Sequence, residues 1–497
     1  MTIAMPQPDP GVLAARDSFL GELAGIVPPD NMVTDEAGLK TYECDGLSAY
    51  RELPLGVALP ETTGEVARIL ELCRRYHVKV VPRGSGTGLS GGALPLKDGL
   101  LLGLGKFNRI LDIDYANRCV TVQPGVTNLA ISQAVDHCGF YYAPDPSSQL
   151  ACSIGGNVAE NSGGVHCLKY GVTTNNLLGL EIVLMSGEIV RIGGKYMDSD
   201  GYDLLGIVTG SEGLLGVITE VTVRILPKPA SVSTLLIGFD DLASAGDCVT
   251  RIIASGIIPA GLELMDRAAV HATEDFCKAG YPLDVEALLI CELDGPGPEV
   301  GELAGRVEEI AEDLGAHTIR RAASEEERER FWLGRKSAFP AVGRISPDYY
   351  CIDGTIPRGR LAEVLTRMED LSTRHGLGVV NVFHAGDGNL HPLIMYDIDK
   401  PGDLEKAEAL ARDILTLCVE VGGVLSGEHG IGVEKRDLMG TMFSDLDLKQ
   451  QQRVKCAFDP DGLLNPGKVF PVLHRCAELG HMHVHRGQVP FPDLPRF

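Results

Sequence analysis

A short apolar run, Val78–Val81, leads directly into Pro82-Arg83-Gly84-Ser85-Gly86-Thr87-Gly88-Leu89-Ser90-Gly91-Gly92. Backbone this rich in glycine can turn sharply and approach a ligand closely. Gly86-Thr-Gly88-Leu-Ser-Gly91 matches G-x-G-x-x-G, and Asp112 lies downstream where a ribose-binding acid would stand. A dinucleotide fingerprint of that kind must also open a helix whose N-terminus meets the pyrophosphate. Pro95, Gly99, Gly103 and Gly105 interrupt the next stretch, so no such helix fits and a plain NAD dehydrogenase is disfavoured. What remains is a nest of backbone N–H groups for an anion, or a tight structural loop.

A second loop shifts that balance towards a ligand. It runs Pro144-Asp145-Pro146-Ser147-Ser148, then Cys152-Ser153-Ile154-Gly155-Gly156-Asn157, Asn161-Ser162-Gly163-Gly164 and Tyr170-Gly171. From Tyr142 to Asn176 there is little periodicity, and an irregular segment is expected. Ser and Asn supply neutral donors and acceptors. Two such loops in one domain suit a long polar ligand such as a flavin dinucleotide. Average usage would give about 35 glycines at roughly 7%. The chain has 60 in 497 residues, without a Gly-X-Y period or a low-complexity tract. Collagen and disorder are therefore excluded.

The net charge of −24 disfavours nucleic acid and anionic membrane surfaces as direct partners. No apolar run approaches a membrane span, and Met1–Leu20 lacks the pattern of a secretory signal. The 13 cysteines include no C-x-x-C, so no iron–sulfur or zinc-ribbon framework is visible. Reduced thiols in the cytoplasm are expected.

Residues 1–50 read as a helical lead-in. Residues 51–229 read as one domain, with Thr62/Thr63 capping a helix that buries Val66, Ile69, Leu70 and Cys73. Residues 110–122 look extended. Thr127 caps a helix that Gly139 stops, and Leu180–Met185 and Ile189–Ile192 form a hairpin about Ser186-Gly187. Val217–Leu226 is a strand ending at Pro227-Lys228-Pro229. Residues 230–455 read as a second, α+β domain with helices such as Val300–Leu314 and Leu404–Val421. Glu325–Arg330 is a charge run that reads as a solvated helix face. Residues 456–497 form a tail rich in Pro, Gly and His.

In the second domain, Val379–His384 and Leu390–Tyr396 read as strands joined by Ala385-Gly386-Asp387-Gly388-Asn389. That hairpin would set His384 across from His391. Two histidines alone more often serve structure. The polar hairpin and the Glu428-His429 pair inside Ser426-Gly427-Glu428-His429-Gly430-Ile431-Gly432 favour zinc or another borderline divalent metal. Arg335, taken alone, reads as a surface residue.

The two glycine loops resemble the FAD-binding domain of the vanillyl-alcohol oxidase / p-cresol methylhydroxylase family. The resemblance implies an α+β fold: a two-part FAD-binding domain plus an α+β substrate (cap) domain with an antiparallel sheet. The tail would return to the FAD domain. It assigns FAD contacts to Pro82, Arg83, Gly84, Ser85, Gly86, Thr87, Gly88, Gly91 and Gly92 in the first loop. In the second it assigns Pro144, Asp145, Ser148, Ser153, Gly155, Gly156, Asn157, Asn161, Ser162, Gly163, Gly164, Tyr170 and Gly171. Glu212, Gly216 and Ile218, from the strand that closes on the flavin, and Asn465 complete that set. Covalently flavinylated members carry His in or near the first loop, where this chain has Ser85 and Thr87. Non-covalent FAD is expected.

His384-x6-His391 with Glu428-His429 is similar to the metal site of the family's FAD-dependent D-2-hydroxyacid dehydrogenase branch. The resemblance makes His384, His391 and Glu428 ligands of a divalent metal, zinc or manganese/iron, and His429 the base. Arg335 would clamp the substrate carboxylate, and Asn389 would also contact substrate. Relatives that take larger diacids carry Lys at Cys351, which argues against a dicarboxylate here. Ser346–Pro357, Phe458–Lys468 and Leu473–Gly480 resemble the glycolate-oxidising flavin subunits of this branch. The activity implied is oxidation of glycolate to glyoxylate, with D-lactate also open. A second FAD-like subunit and an iron–sulfur subunit would carry electrons towards the membrane quinone pool. Location would then be cytoplasmic, or peripheral at the inner membrane face through partners. A stand-alone D-lactate dehydrogenase and a non-catalytic flavin relay are the rivals. His481, His483 and His485 read as part of an exposed contact segment.

Overall fold

Two short helices, Pro10–Ala14 and Arg16–Leu23, open the chain and press Phe19 and Leu23 against the helix Thr63–Tyr76. The computed structural model describes residues 5–196 and 201–471. The lead-in is not wholly helical. Met32–Val33 is a strand antiparallel to Gly56–Ala58, too short for any period to show in sequence. Thr62 and Glu65 form a reciprocal capping box, and His77, in the left-handed region at φ 55°, ends the helix. Val66, Ile69, Leu70 and Cys73 are buried, as the apolar spacing requires. Lys79–Arg83 lies parallel to Gly99–Gly103, which lies parallel to Gly56–Ala58. Pro82 is tolerated because its strand is at the sheet edge. The chain returns there from far downstream: Val80 N–H donates to Leu463 O (2.8 Å), and Asn465 N–H donates to Val80 O (2.7 Å).

A second, antiparallel sheet has the order 110–114, 119–122, 217–224, 177–183, 189–193. Gly187, at φ 89°, makes the expected hairpin turn. Thr127 stands at the N-cap of Asn128–Val135, but its side chain makes no capping bond. The stretch expected to be irregular contains a helix, Ile154–Glu160, whose Ser153 cap accepts from Gly156 N–H. Gly155 and Gly156 hide it, because glycine is a poor helix former. Its buried Ile154 and Val158 hold it in place. At Gly155 a Cβ would lie 2.5 Å from Pro124 Cβ, so glycine is required for the approach.

The third sheet is antiparallel, with seven strands in the order 318–321, 231–239, 287–295, 261–266, 379–383, 392–396, 348–351. Helices cover both faces. Leu235, Ile237, Leu264, Leu289 and Cys291 pack into one core, and Leu236, Met265, Leu288 and Ile290 into another. Burial on both sides explains why these strands are continuous apolar runs. Among the described residues, no helix is long and apolar enough to cross a membrane. Leu473–Gly480, His481, His483 and His485 lie outside the described residues.

Candidate active site between the two halves

A cavity of about 480 Å³ lies where the two glycine loops face the seven-stranded sheet. Pro82, Arg83, Gly84, Ser85, Gly86, Thr87, Gly88 and Gly92 line it from the first loop. Ser148, Ser153, Gly155, Gly156, Asn157 and Ser162 line it from the second, Glu212 and Gly216 from the turn before the strand Val217–Arg224, and Ile218 from that strand. The other side is Arg335, His384, His391, Glu428 and His429. The wall is tightest at Gly84, where a Cβ would sit 2.2 Å from Ser153 Oγ and the serine cap would have to move. Gly86, at φ 71°, turns the loop over the Arg83 guanidinium. Small side chains and glycine-rich backbone along both loops make this a fitting cradle for FAD.

Other residues expected at the cofactor do not line the cavity and support it instead. Gly91 packs on Val433, and Gly164 packs on the Asp145 backbone. Pro144 O accepts from Asn128 (3.0 Å), and Asp145 pairs with His166 (3.0 Å) and Lys336 (3.4 Å). Asn161, at φ 55°, ends the Ile154–Glu160 helix. Gly163 abuts Glu428, and Gly171 abuts Asn175. Tyr170 donates to Asp294 (2.5 Å) across the domain boundary. Asn465 donates to the carbonyls of Gly92 (2.8 Å) and Glu212 (2.7 Å), tying two cradle segments together.

The histidine hairpin folds nearly as its spacing predicts, with one correction. The register pairs Asn381 with Pro392 and His384 with Asn389, so His391 is not directly opposite His384. It is diagonal to it on the same face, within reach for large side chains. The two rings are 5.0 Å apart and perpendicular. His384 Nε2 and His391 Nε2 lie 3.3 and 2.9 Å from Glu428 Oε1. One donor atom from each of these three residues falls within 4.8 Å of the others. Two imidazoles and a carboxylate, all directed at one point, fit a borderline divalent cation. His384 Nδ1 meets both oxygens of Glu263 (2.9 and 3.0 Å), which fixes the ring and leaves Nε2 facing inward. Asn389 stays inside the hairpin, its Nδ2 3.4 Å from His391 Nε2, and does not line the cavity.

The Ser426–Gly432 loop is held by two carboxylates. Asp353 accepts from the backbone N–H of Glu428 (2.8 Å) and His429 (2.5 Å) and pairs with buried Lys435 (3.0 Å). Glu212, from the flavin side, accepts from Ile431 N–H (2.6 Å) and Gly432 N–H (2.7 Å). His429 stacks on His391 with ring centroids 4.9 Å apart. Burial pushes the His429 imidazolium down to about 4, against the pull of Asp353, so the ring is neutral near pH 7. Burial alone would lower His384 and raise Glu428. The carboxylates of Glu263 and Glu428 overcome it at His384, and the hydrogen bonds from His384 and His391 overcome it at Glu428. The imidazolium is held well above its ordinary range and the carboxylate well below its own.

Arg335 is not on the surface. The helix Glu325–Lys336 is exposed over its charged first half and buries Phe331, Trp332, Gly334 and Arg335 in its second. Gly334 allows this approach, since a Cβ there would lie 2.4 Å from Tyr281 Oη. Arg335 is 1% exposed, with Nη2 2.6 Å from Glu263 Oε2. Nη2 is taken by that ion pair, Nε and Nη1 find no hydrogen-bond partner, and the residue lines the cavity. A buried guanidinium with unused donors is a receptor for a planar anion.

Glu263, Asp353, Lys435 and Glu160 escape sequence reading. Glu160 lines the cavity beside Glu212 and Gly430. Its burial and the nearby Glu212 and Asp45 carboxylates raise it well above the ordinary carboxylate range. The one signal was Glu263 itself, a charge inside the apolar strand Gly261–Asp266.

Comparison with known proteins agrees with this geometry. Residues 54–193 match the family described as FAD binding domain, and residues 228–469 match FAD linked oxidases, C-terminal domain. The chain is 58% identical to Glycolate oxidase subunit GlcD of Escherichia coli strain K12, over 97% of each chain. It is 39% identical to Glycolate oxidase subunit GlcD of Bacillus subtilis, over 90% of this chain and 96% of that one. A D-lactate dehydrogenase of Anaerostipes hadrus is 33% identical, over 89% and 95%. Among solved structures, p-cresol methylhydroxylase superposes with TM-score 0.78 at 17% identity, covering 93% of this chain and 98% of that one. The chain belongs to the FAD-linked oxidases, with the two-domain FAD-binding fold of the vanillyl-alcohol oxidase / p-cresol methylhydroxylase family, and is an FAD-dependent oxidoreductase.

Proposed function

We propose that the chain oxidises a small 2-hydroxy acid, glycolate to glyoxylate, as the catalytic flavin subunit of a larger complex. The observation that supports this most is Arg335, buried with unused donors in the cavity that also holds His384, His391, Glu428 and His429. Arg335 binds the substrate carboxylate through its planar fork. The loop carrying Ser85 and Thr87 would hold FAD without a covalent bond, and the bound flavin would supply the two-electron chemistry. His384, His391 and Glu428 would hold a divalent cation, zinc or manganese/iron, which would supply Lewis acidity to the substrate hydroxyl. His429 takes the hydroxyl proton, and stacking on His391 fixes its ring. Glu263 holds both His384 and Arg335. Cys351, buried and kept as a neutral thiol, offers no second cation, which suits a monocarboxylate.

Glycolate is favoured because the relatives of that name are 58% and 39% identical to this chain. D-lactate is the second reading, carried by the relative at 33%. A relay subunit without its own substrate site would have no use for the buried cluster. The word subunit in the relatives' name supports partners. Electrons would pass through a second FAD-like subunit and an iron–sulfur subunit towards the membrane quinone pool. Any membrane association is then indirect, on the cytoplasmic side. Steady-state turnover of the purified chain tests the substrate: a higher kcat/KM for glycolate than for D-lactate is expected, and the reverse order would replace the reading.

A further inference from the structure

Cys351 closes a second group of donors around the active-site histidines. Its Sγ and one ring nitrogen each from His391 and His429 lie within 4.8 Å of one another. His391 points Nε2 at Glu428. Its Nδ1 is buried with no hydrogen-bond partner, and so is His429 Nδ1. His391 is 2% exposed and Cys351 5%. The Sγ makes only a long contact, 3.7 Å, with Ile352 O. Three donor side chains thus converge, and each of the two histidines also carries a buried nitrogen without a partner, which is costly to leave unsatisfied.

We propose that Cys351, His391 and His429 form a second metal site, for a thiophilic divalent cation such as Cd²⁺ or Zn²⁺, and that filling it stops turnover. Sulfur with two imidazoles selects softer ions than the carboxylate-containing site beside it. On binding, the thiol S–H bond breaks and an S–metal bond forms; where His391 Nε2 already holds the first cation, its Nδ1–H bond also breaks so that the imidazolate bridges the two sites, and each proton leaves to solvent. The cation also takes the His429 lone pair. The inhibitory part rests on His429 acting as the base; the binding part does not.

The test uses purified FAD-loaded protein titrated with CdCl₂, read by the ultraviolet thiolate-to-cadmium charge-transfer absorption and by turnover with glycolate. Wild type should bind one more thiolate-coordinated cadmium than Cys351→Ser or Cys351→Ala. Each variant should show inhibition weakened by about tenfold or more relative to its own metal-free rate, since even a ligand's supporting partners are worth that much in affinity. His384→Ala should keep the charge-transfer signal while losing turnover. Equal absorption in wild type and both Cys351 variants overturns the site. The absorption difference without a difference in inhibition overturns the inhibitory part and points to a different base.

Discussion

Glu263 and Arg335 meet at 2.6 Å, each with a side chain only 1% exposed. The same carboxylate also holds His384 Nδ1. One buried group therefore joins the anion receptor to the histidine cluster. Glu263→Gln should weaken metal retention by about 10–100-fold, the usual cost of losing a ligand's orienting partner. Metal content after dialysis against a weak chelator, measured alongside FAD content, reads this directly. Unchanged retention would separate Glu263 from the metal site.

Arg335→Lys keeps the charge and removes the fork. A hydrogen bond to a charged group is worth about 1.5–3 kcal/mol, so kcat/KM should fall about tenfold to a hundredfold. Most of the effect should appear in KM, with the flavin spectrum unaltered. Full activity with Lys would mean that the carboxylate binds elsewhere.

Glu212 reaches across from the flavin side to two backbone N–H groups of the His429 loop. Glu212→Ala should cost about 1–3 kcal/mol for each N–H left without a partner. Thermal unfolding should shift down, and kcat should fall while FAD content is preserved. A loss of FAD with the loop still protected from proteolysis would place the role of Glu212 in cofactor binding alone.

His166 joins the two halves through Asp145 (3.0 Å) and Glu292 (3.1 Å). Burial opposes its charge, but these carboxylates raise it from 6.5 to about 10. A raised histidine stabilises the fold fully below its unfolded value, and the contribution fades as pH climbs towards the folded one. Burial would raise Asp145 and Glu292, yet their partners lower both to about 2, so their share is lost only in strong acid. His166→Gln should therefore be less stable than wild type at pH 6, and the gap should narrow between pH 6.5 and 10. Chemical denaturation of both proteins at several pH values measures it; a gap that widens with pH contradicts the assignment.

The glycine loops and the histidine spacing were legible because each rests on neighbours in the chain. Gly84 to Gly92 and His384-x6-His391 carry their geometry locally. The helix Ile154–Glu160 was not legible, since its glycines argue against helix, and the reasons for them lie in Pro124 packed on Gly155 and in the cavity that both glycines line. Glu263 was missed for a different reason: its partner His384 is 121 positions away. Arg335, taken alone, reads as a surface residue because the burial of its helix changes midway, where Gly334 meets Tyr281. The Asp353 clamp on the His429 loop is likewise long-range, 76 positions apart.

Oxidation of a hydroxy acid at the flavin, with Arg335, His429 and the histidine–glutamate cluster acting together, is open to a single experiment. Anaerobic mixing of FAD-loaded protein with glycolate, D-lactate or D-2-hydroxyglutarate, followed by flavin absorbance, tests it most directly. Glycolate should bleach the wild-type flavin, D-2-hydroxyglutarate should not, and His429→Ala should stay yellow with glycolate. Full bleaching of His429→Ala at the wild-type rate, or no bleaching of wild type by any of the three acids, would contradict it.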